Sequence, residues 1–427
     1  MTNRTVHLPK AIRSDIICDE RGTLEPRVWL GDATELGPDF DAVLTQARRK
    51  SIRVKERSSG QIEIRGRDRV GIIRLPSGRS IRICTKLPGI VLLEWLAFLG
   101  EFPDLETWSM GGNVHESDSF QKVIARLFLG ELDFLSRVHL RKGFVQFERE
   151  SSHVQGRILS HKLAQRPWRL PAIPQIVRAR SIDTPANKTL ANALDALTLF
   201  LPELDHEDVR RFQRLRSQWA IVSRQDSDRL AMITESQSSP PDGYRTSLQL
   251  ARLILRGASI DPKSGSGGQT FTVSLARVWE HAVTEICRKV QMNTKWKVMG
   301  RSNCSRLWDD SDPESEHQRS LIVDTLLANG DRRWILDAKY KLGFGHEGRN
   351  DRFQMCAYAL AFHAERATLV YPTANDQPSS HRVLLDTLYG RQRVLVDAIG
   401  CNMALGPKHC MSQLRAFMNA GQQKLNS

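Results

Sequence analysis

The stretch LIVDTLLANGDRRWILDAKYK, Leu321 to Lys341, places two aspartates and a lysine inside apolar, β-prone sequence. Leu321–Leu327 and Arg333–Tyr340 read as strands, because both are rich in β-branched, aliphatic and aromatic residues. Asn329-Gly330 between them tolerates the positive φ of a short hairpin turn. Side chains alternate faces along a strand, so Asp337 and Lys339 share one face. A two-residue loop, 329 and 330, sets Asp324 opposite Ile335, and a four-residue loop, 329 to 332, sets it opposite Asp337. Either register brings Asp324 to the face that carries Asp337 and Lys339.

Two carboxylates converging in apolar surroundings repel each other and are costly to ionise unless a cation lies between them. A hard divalent ion such as Mg²⁺ suits such a pair, since it takes oxygen ligands and keeps waters of its own. One of those waters, its pKa lowered, would become a nucleophile beside Lys339, a geometry that serves phosphodiester hydrolysis. The flanks extend the pattern. Downstream, NDRFQMCAYALAFHA reads as a helix with Gln354 and Tyr358 one turn apart on the same face. Upstream, TVSLARVWEHAVTEICRKV carries Val273, Ala276, Trp279, Ala282, Val283 and Ile286 at helical spacing, with Glu280 in reach of the same ion.

This order of a helix with Glu, a strand with Asp, a strand with Asp-x-Lys and a helix with Gln-x-x-x-Tyr resembles the PD-(D/E)xK nuclease superfamily. More closely it resembles the McrC family, the nuclease subunit of McrBC modification-dependent restriction systems. The closer resemblance is carried by GIIRLPSGRSIRICTKLP (Gly71–Pro88), VQGRI (Val154–Ile158), DTPANK (Asp183–Lys188), the IVD and ILDAKYK core, and DRFQMCAYA (Asp351–Ala359). Two positions depart from the pattern. Val323 stands where the superfamily's name-giving proline sits, and Thr85 stands where the McrC family shows proline before the lysine that is here Lys86.

The resemblance implies a Mg²⁺-dependent DNA endonuclease subunit. Asp324 and Asp337 would hold the metal, with the Ala338 carbonyl as an additional ligand and Glu280 as an outer or second-metal carboxylate. Lys339 would orient the attacking water, and Gln354 and Tyr358 would support the site. The implied partners are DNA and a hexameric McrB-like AAA+ GTPase, whose pore the N-terminal part of the family enters. Two rival readings stay open at this point: a non-catalytic activator of the AAA+ partner, and a stand-alone RecB-like nuclease.

Composition agrees with a polyanionic partner. The 427 residues carry 62 Lys+Arg against 48 Asp+Glu, a net charge of +14, which favours nucleic acid through counterion release. Arg48–Arg82 holds twelve basic residues against Glu56, Glu63 and Asp68. Its alternation of isoleucine or valine with arginine puts these charges on the solvent face of strands. Seven scattered cysteines without a CxxC pair indicate neither a disulfide framework nor a zinc site. MTNRTVHLPK lacks a signal-peptide apolar core, and GIVLLEWLAFLGEF is interrupted by Glu94 and too short to span a bilayer. A cytoplasmic protein with no membrane partner is expected.

The expected fold is multidomain α/β. Residues 1–88 form a β-rich basic N-terminal domain that binds the AAA+ partner. Residues 89–262 form a mainly helical middle region, with helices at Ile90–Leu99, Ser119–Leu135, Thr189–Phe200 and Glu207–Val222. Residues 263–427 form a restriction-endonuclease-like α/β domain of the PD-(D/E)xK type. TESQSSPPDGYR (Thr234–Arg245) and DPKSGSGGQT (Asp261–Thr270) read as loops. The glycines of the second end in no Gly-Lys-Ser/Thr and follow no expected strand, so GTP belongs to the partner and not to this chain. WDDSDPESE (Trp308–Glu316) reads as a solvated acidic loop. ATLVYPT (Ala367–Thr373) is expected to add a strand, followed by the apolar segments RVLLDTL and RVLVDAI.

Overall fold

The computed structural model describes residues 15–20, 27–100, 118–138, 140–165, 172–224, 243–260, 269–291, 295–304, 321–341, 349–373, 380–386 and 393–425. Their strands are β1 (Ile16–Asp19), β2 (Trp29–Gly31), β3 (Ile52–Glu56), β4 (Ile62–Gly66), β5 (Arg69–Arg74), β6 (Ser80–Cys84), β7 (Gly143–Ser151), β8 (Arg157–Ile158), β9 (Ile173–Ser181), β10 (Ala258–Ile260), β11 (Gln269–Ser274), β12 (Lys297–Cys304), β13 (Leu321–Asn329), β14 (Arg332–Ala338), β15 (Arg366–Thr373), β16 (Ser380–Asp386) and β17 (Arg393–Asn402). The helices are α1 (Ala33–Leu36), α2 (Phe40–Arg48), α3 (Gly89–Phe98), α4 (Phe120–Val138), α5 (Ser160–Gln165), α6 (Pro185–Ala196), α7 (His206–Gln218), α8 (Arg245–Gly257), α9 (Leu275–Gln291), α10 (Arg349–Ala361) and α11 (Gly406–Leu425). The segments 261–268 and 308–316, and most of 234–245, lie outside the described residues.

Mixed α/β architecture is as expected, but the chain divides differently along its length. One compact unit comprises Met1–Phe120 together with Ile260–Ser427, and the other comprises Gln121–Ser259. Residues 1–88 therefore do not stand apart from the C-terminal part. Strand β11 pairs antiparallel with β5, Phe271 opposite Ile72 and Val273 opposite Val70, in a sheet ordered β1-β6-β5-β11-β10. Val273, expected on the helix that carries Glu280, is thus a strand residue, and β10 precedes the glycine-rich segment where no strand was expected. Gly71 makes the β5–β11 approach possible: its φ is +141°, and an added Cβ would lie 2.0 Å from the Phe271 carbonyl oxygen. Helix α3, expected in the middle region, also belongs to the first unit. Its buried Trp95 meets Trp279 of α9 edge to face at 5.8 Å and donates to the Met403 carbonyl at 3.0 Å.

The second sheet of this unit has six strands in the order β12-β13-β14-β15-β17-β16. Pairing is antiparallel from β12 to β14, parallel from β14 through β15 to β17, and antiparallel again at β16. Ile335, Leu369, Val396 and Ala398 pack with Met355, Tyr358 and Ala359 of α10 in one core. Elsewhere in the sheet Trp334 donates to Thr368 at 2.8 Å and meets Trp296 edge to face. Thr325 there shares a 2.7 Å hydrogen bond with Thr284 of α9. Helix α11 was not anticipated, since no clear apolar period announces it.

The basic stretch behaves largely as its alternation predicts. Arg53, Lys55, Arg65 and Arg74 are exposed while Ile52, Ile62, Ile64 and Ile73 fill the core of this region. Arg79 departs furthest from it: it is buried, lies 4.0 Å from the buried Asp39 carboxylate and donates to the Glu35 carbonyl at 3.0 Å.

The second unit combines α4, α6, α7 and α8 with a three-stranded sheet ordered β7-β9-β8. DTPANK explains one helix start. Thr184 caps α6 by accepting from the Asn187 amide, Pro185 occupies the first turn, and the fully buried Asn187 side chain donates to the Ile182 and Arg141 carbonyls. That motif has a structural reason to exist.

Candidate active site

The hairpin adopts the register that places the two aspartates opposite each other. Asn329 pairs with Arg332, Leu326 with Ile335 and Thr325 with Leu336, so the next position sets Asp324 against Asp337. The turn itself is Gly330-Asp331 and not Asn329-Gly330, with Gly330 at φ +60°. Asp324 accepts from the Ala338 backbone amide at 2.9 Å. The Ala338 carbonyl is the group expected to serve here, whereas the one engaged is its N–H.

Asp337 is 2% exposed, and its Oδ2 lies 2.6 Å from the Lys339 ammonium. That oxygen has no hydrogen-bond donor of good geometry among the described residues. Burial pushes the Asp337 carboxyl up to about 6; Lys339 opposes the rise, while Asp324 and Asp351 add to it. Lys339 is held above its ordinary value even though burial pulls it down, because Asp337 faces it, with Tyr358 and Asp324 reinforcing the effect. Glu280 on α9 is raised by burial and then by the fields of Asp324 and Asp337, and its carboxylate has no hydrogen bond or ion pair among the described residues. On α10 the Gln354 amide donates to the Tyr358 hydroxyl at 2.6 Å, and burial and Asp337 raise the Tyr358 phenol.

All six predicted side chains therefore fall within one electrostatic neighbourhood. They do not stand as a finished metal cage: among the described residues no three His, Cys, Asp or Glu side chains are placed to hold an ion. One oxygen of Asp324 is turned onto the Ala338 amide and one of Asp337 onto Lys339.

Two neighbours escaped sequence reading. Buried Asp351, at the start of α10, holds Lys341 at 2.6 Å and accepts from Tyr371 at 3.4 Å. Buried Glu20, at the end of β1, accepts from Thr85, from the Lys86 amide and from Tyr340. The DAKYK spacing hints at Lys341 through its shared parity with Lys339, but nothing local announces acids ten and 320 residues away.

The family described as "McrBC 5-methylcytosine restriction system component" has a model that matches residues 64–372, a span that includes every residue of this cluster except Glu20. The chain belongs to the McrBC family. Within that family it is the McrC component that the chain resembles. A chain of the refined half-complex from the tetradecameric assembly of Thermococcus gammatolerans McrB AAA+ hexamers with bound McrC aligns at TM-score 0.57 and 13% identity, covering 90% of each chain, and so shares the fold. A chain of the cryo-EM Thermococcus gammatolerans McrBC complex aligns at TM-score 0.38 and 12% identity, over 65% of this chain and 88% of that one. Among curated proteins none matches. No described helix is long and apolar enough to cross a membrane.

Proposed function

We propose that this McrBC-family chain is the DNA endonuclease subunit of a modification-dependent restriction system, of the PD-(D/E)xK type and Mg²⁺-dependent, and that it acts with and stimulates a hexameric McrB-like AAA+ GTPase. The observation that carries the reading is the buried Asp337 paired with Lys339, with Asp324 brought opposite Asp337 by the hairpin register. A solvated hairpin would not bury these charges at such cost.

The donor set fits a hard divalent cation. Asp324 makes ionisation of both Glu280 and Asp337 costlier, Asp337 adds to the cost at Glu280, and Lys339 is the one ammonium paired with the cluster among the described residues. Asp324 and Asp337 would hold the ion, with Glu280 as the outer carboxylate and the Ala338 carbonyl as a further oxygen. When bound, Mg²⁺ supplies charge neutralisation and an acidified water. Lys339, fixed by Asp337, directs its ammonium at the attacking oxygen and at the charge that builds on the phosphoryl group. Gln354 and Tyr358 offer an amide and a phenol to orient the phosphate. The AAA+ partner hydrolyses the nucleotide.

Asp337→Asn tests this. With the partner, GTP and methylated DNA present, cleavage should fall by at least a hundredfold while partner GTPase stimulation persists. Cleavage surviving in the variant would sink the assignment. Degradation of DNA by the chain and Mg²⁺ alone would instead favour a stand-alone nuclease.

A further inference from the structure

The second unit carries a surface that the cleavage site does not explain. In its β7-β9-β8 sheet, Phe144 pairs with Arg180, Gln146 with Arg178, and Arg157 with Ile176. Ile176, Arg178 and Arg180 alternate along β9, so all these side chains belong to one face of the sheet. Phe144 is 67% exposed, with the Arg178 guanidinium 5.0 Å from its ring centre. Arg157, Arg178 and Arg180 are exposed, and none has a carboxylate partner among the described residues. Glu148 on the same face is already engaged by Lys162.

The neighbouring loop, which leads into VQGRI, is fixed in place. Fully buried Gln175 accepts from the Gln155 and Gly156 amides at 2.6 and 2.9 Å and donates to the His153 carbonyl at 2.7 Å. This exposed sheet face offers an aromatic ring beside a guanidinium together with three arginines that have no carboxylate partner among the described residues, all open to a ligand. Its chemistry is that of a strand-binding platform, where arginines meet phosphates and a ring stacks on an unpaired base. An acidic protein surface would need the charges but would leave the ring–guanidinium pair without purpose.

We infer that this face is a DNA-binding platform, holding a strand through Arg157, Arg178 and Arg180 with a base stacked on Phe144. The inference rests on the proposed nuclease function only in naming the nucleic acid as DNA.

The test uses the full chain carrying Asp337→Asn, so that binding is read without cleavage, and fluorescein-labelled 30-nucleotide single-stranded and 30-base-pair duplex DNA in anisotropy titrations. Arg178→Glu/Arg180→Glu should weaken both probes by about tenfold or more and flatten the slope of log K against log salt by about 2. Phe144→Ala should weaken the single strand by roughly tenfold and the duplex far less. Arg178→Ala/Arg180→Ala, checked for an unchanged melting transition, guards against misfolding. Unchanged affinity and salt slope in both arginine variants overturns the proposal, and so does loss of AAA+ partner binding in place of DNA binding. Failure of the nuclease reading would appear separately, as cleavage by Asp337→Asn.

Discussion

The Tyr340 hydroxyl donates a 2.8 Å hydrogen bond to Glu20. Three hundred and twenty residues separate the two. One directly follows the first strand of the N-terminal sheet, and the other directly follows Lys339. Glu20 is fully buried, its carboxyl is raised chiefly by burial, and the Lys86 ammonium lies 5.2 Å from the centre of the Tyr340 ring. The N-terminal sheet and the strand bearing the candidate catalytic pair are thus joined through one buried carboxylate.

Tyr340→Phe removes a donor from that buried acid without changing its shape. The expected cost is about 1–3 kcal/mol, read as a lower midpoint in denaturant. Glu20→Gln keeps hydrogen-bonding capacity and removes the buried charge, so it should cost less than Tyr340→Phe as pH rises. Equal stability of Tyr340→Phe and the parent would show that the contact contributes nothing.

Asp337 predicts a pH dependence. Its carboxyl is raised from 3.8 to about 6, mainly by burial, so between these values the folded chain keeps a proton that the unfolded chain gives up. The favourable contribution is complete below 3.8 and is lost as pH rises through about 6. The full swing is roughly 3 kcal/mol. Thermal melts from pH 4 to 7 in EDTA should show this loss in the parent and its absence in Asp337→Asn. Adding Mg²⁺ at pH 7 should recover stability in the parent alone; identical pH profiles for the two chains would refute the reading.

Arg366 is the other costly charge in the six-stranded sheet. It is 1% exposed, contacts the rings of both Trp334 and Phe417, and donates to Asp397, which also accepts from Thr368 at 2.5 Å. Asp397→Ala strands a buried guanidinium and should cost about 3–5 kcal/mol, while Arg366→Met/Asp397→Leu should recover most of that loss. A chemical-denaturation cycle measures it; additivity of the two single changes would contradict the coupling.

The parts legible in the local sequence are those with a local cause. Alternation along 321–341 determined which face Asp324, Asp337 and Lys339 share, because a strand's period is two in every context. Helical spacing announced α10 with its Gln354–Tyr358 pair, and most of α9. Between two possible hairpin registers local rules could not choose, and the turn moved by one residue because Asn329 found a cross-strand partner in Arg332.

Tertiary structure alone decided which strands and helices became neighbours. Pairing β11 with β5 needs the close backbone approach that Gly71 permits, a property no periodicity expresses. The same holds for α3, which docks through Trp95 and lies in the unit whose N-terminal segment runs to Phe120. Burial of Glu20 beneath Tyr340 likewise needed both ends of the chain in place. By itself the sequence determined the local periods, the charge and the candidate acids. Contacts hundreds of residues apart rest on shape and on polar groups finding partners when buried, and those exist only once the chain has folded.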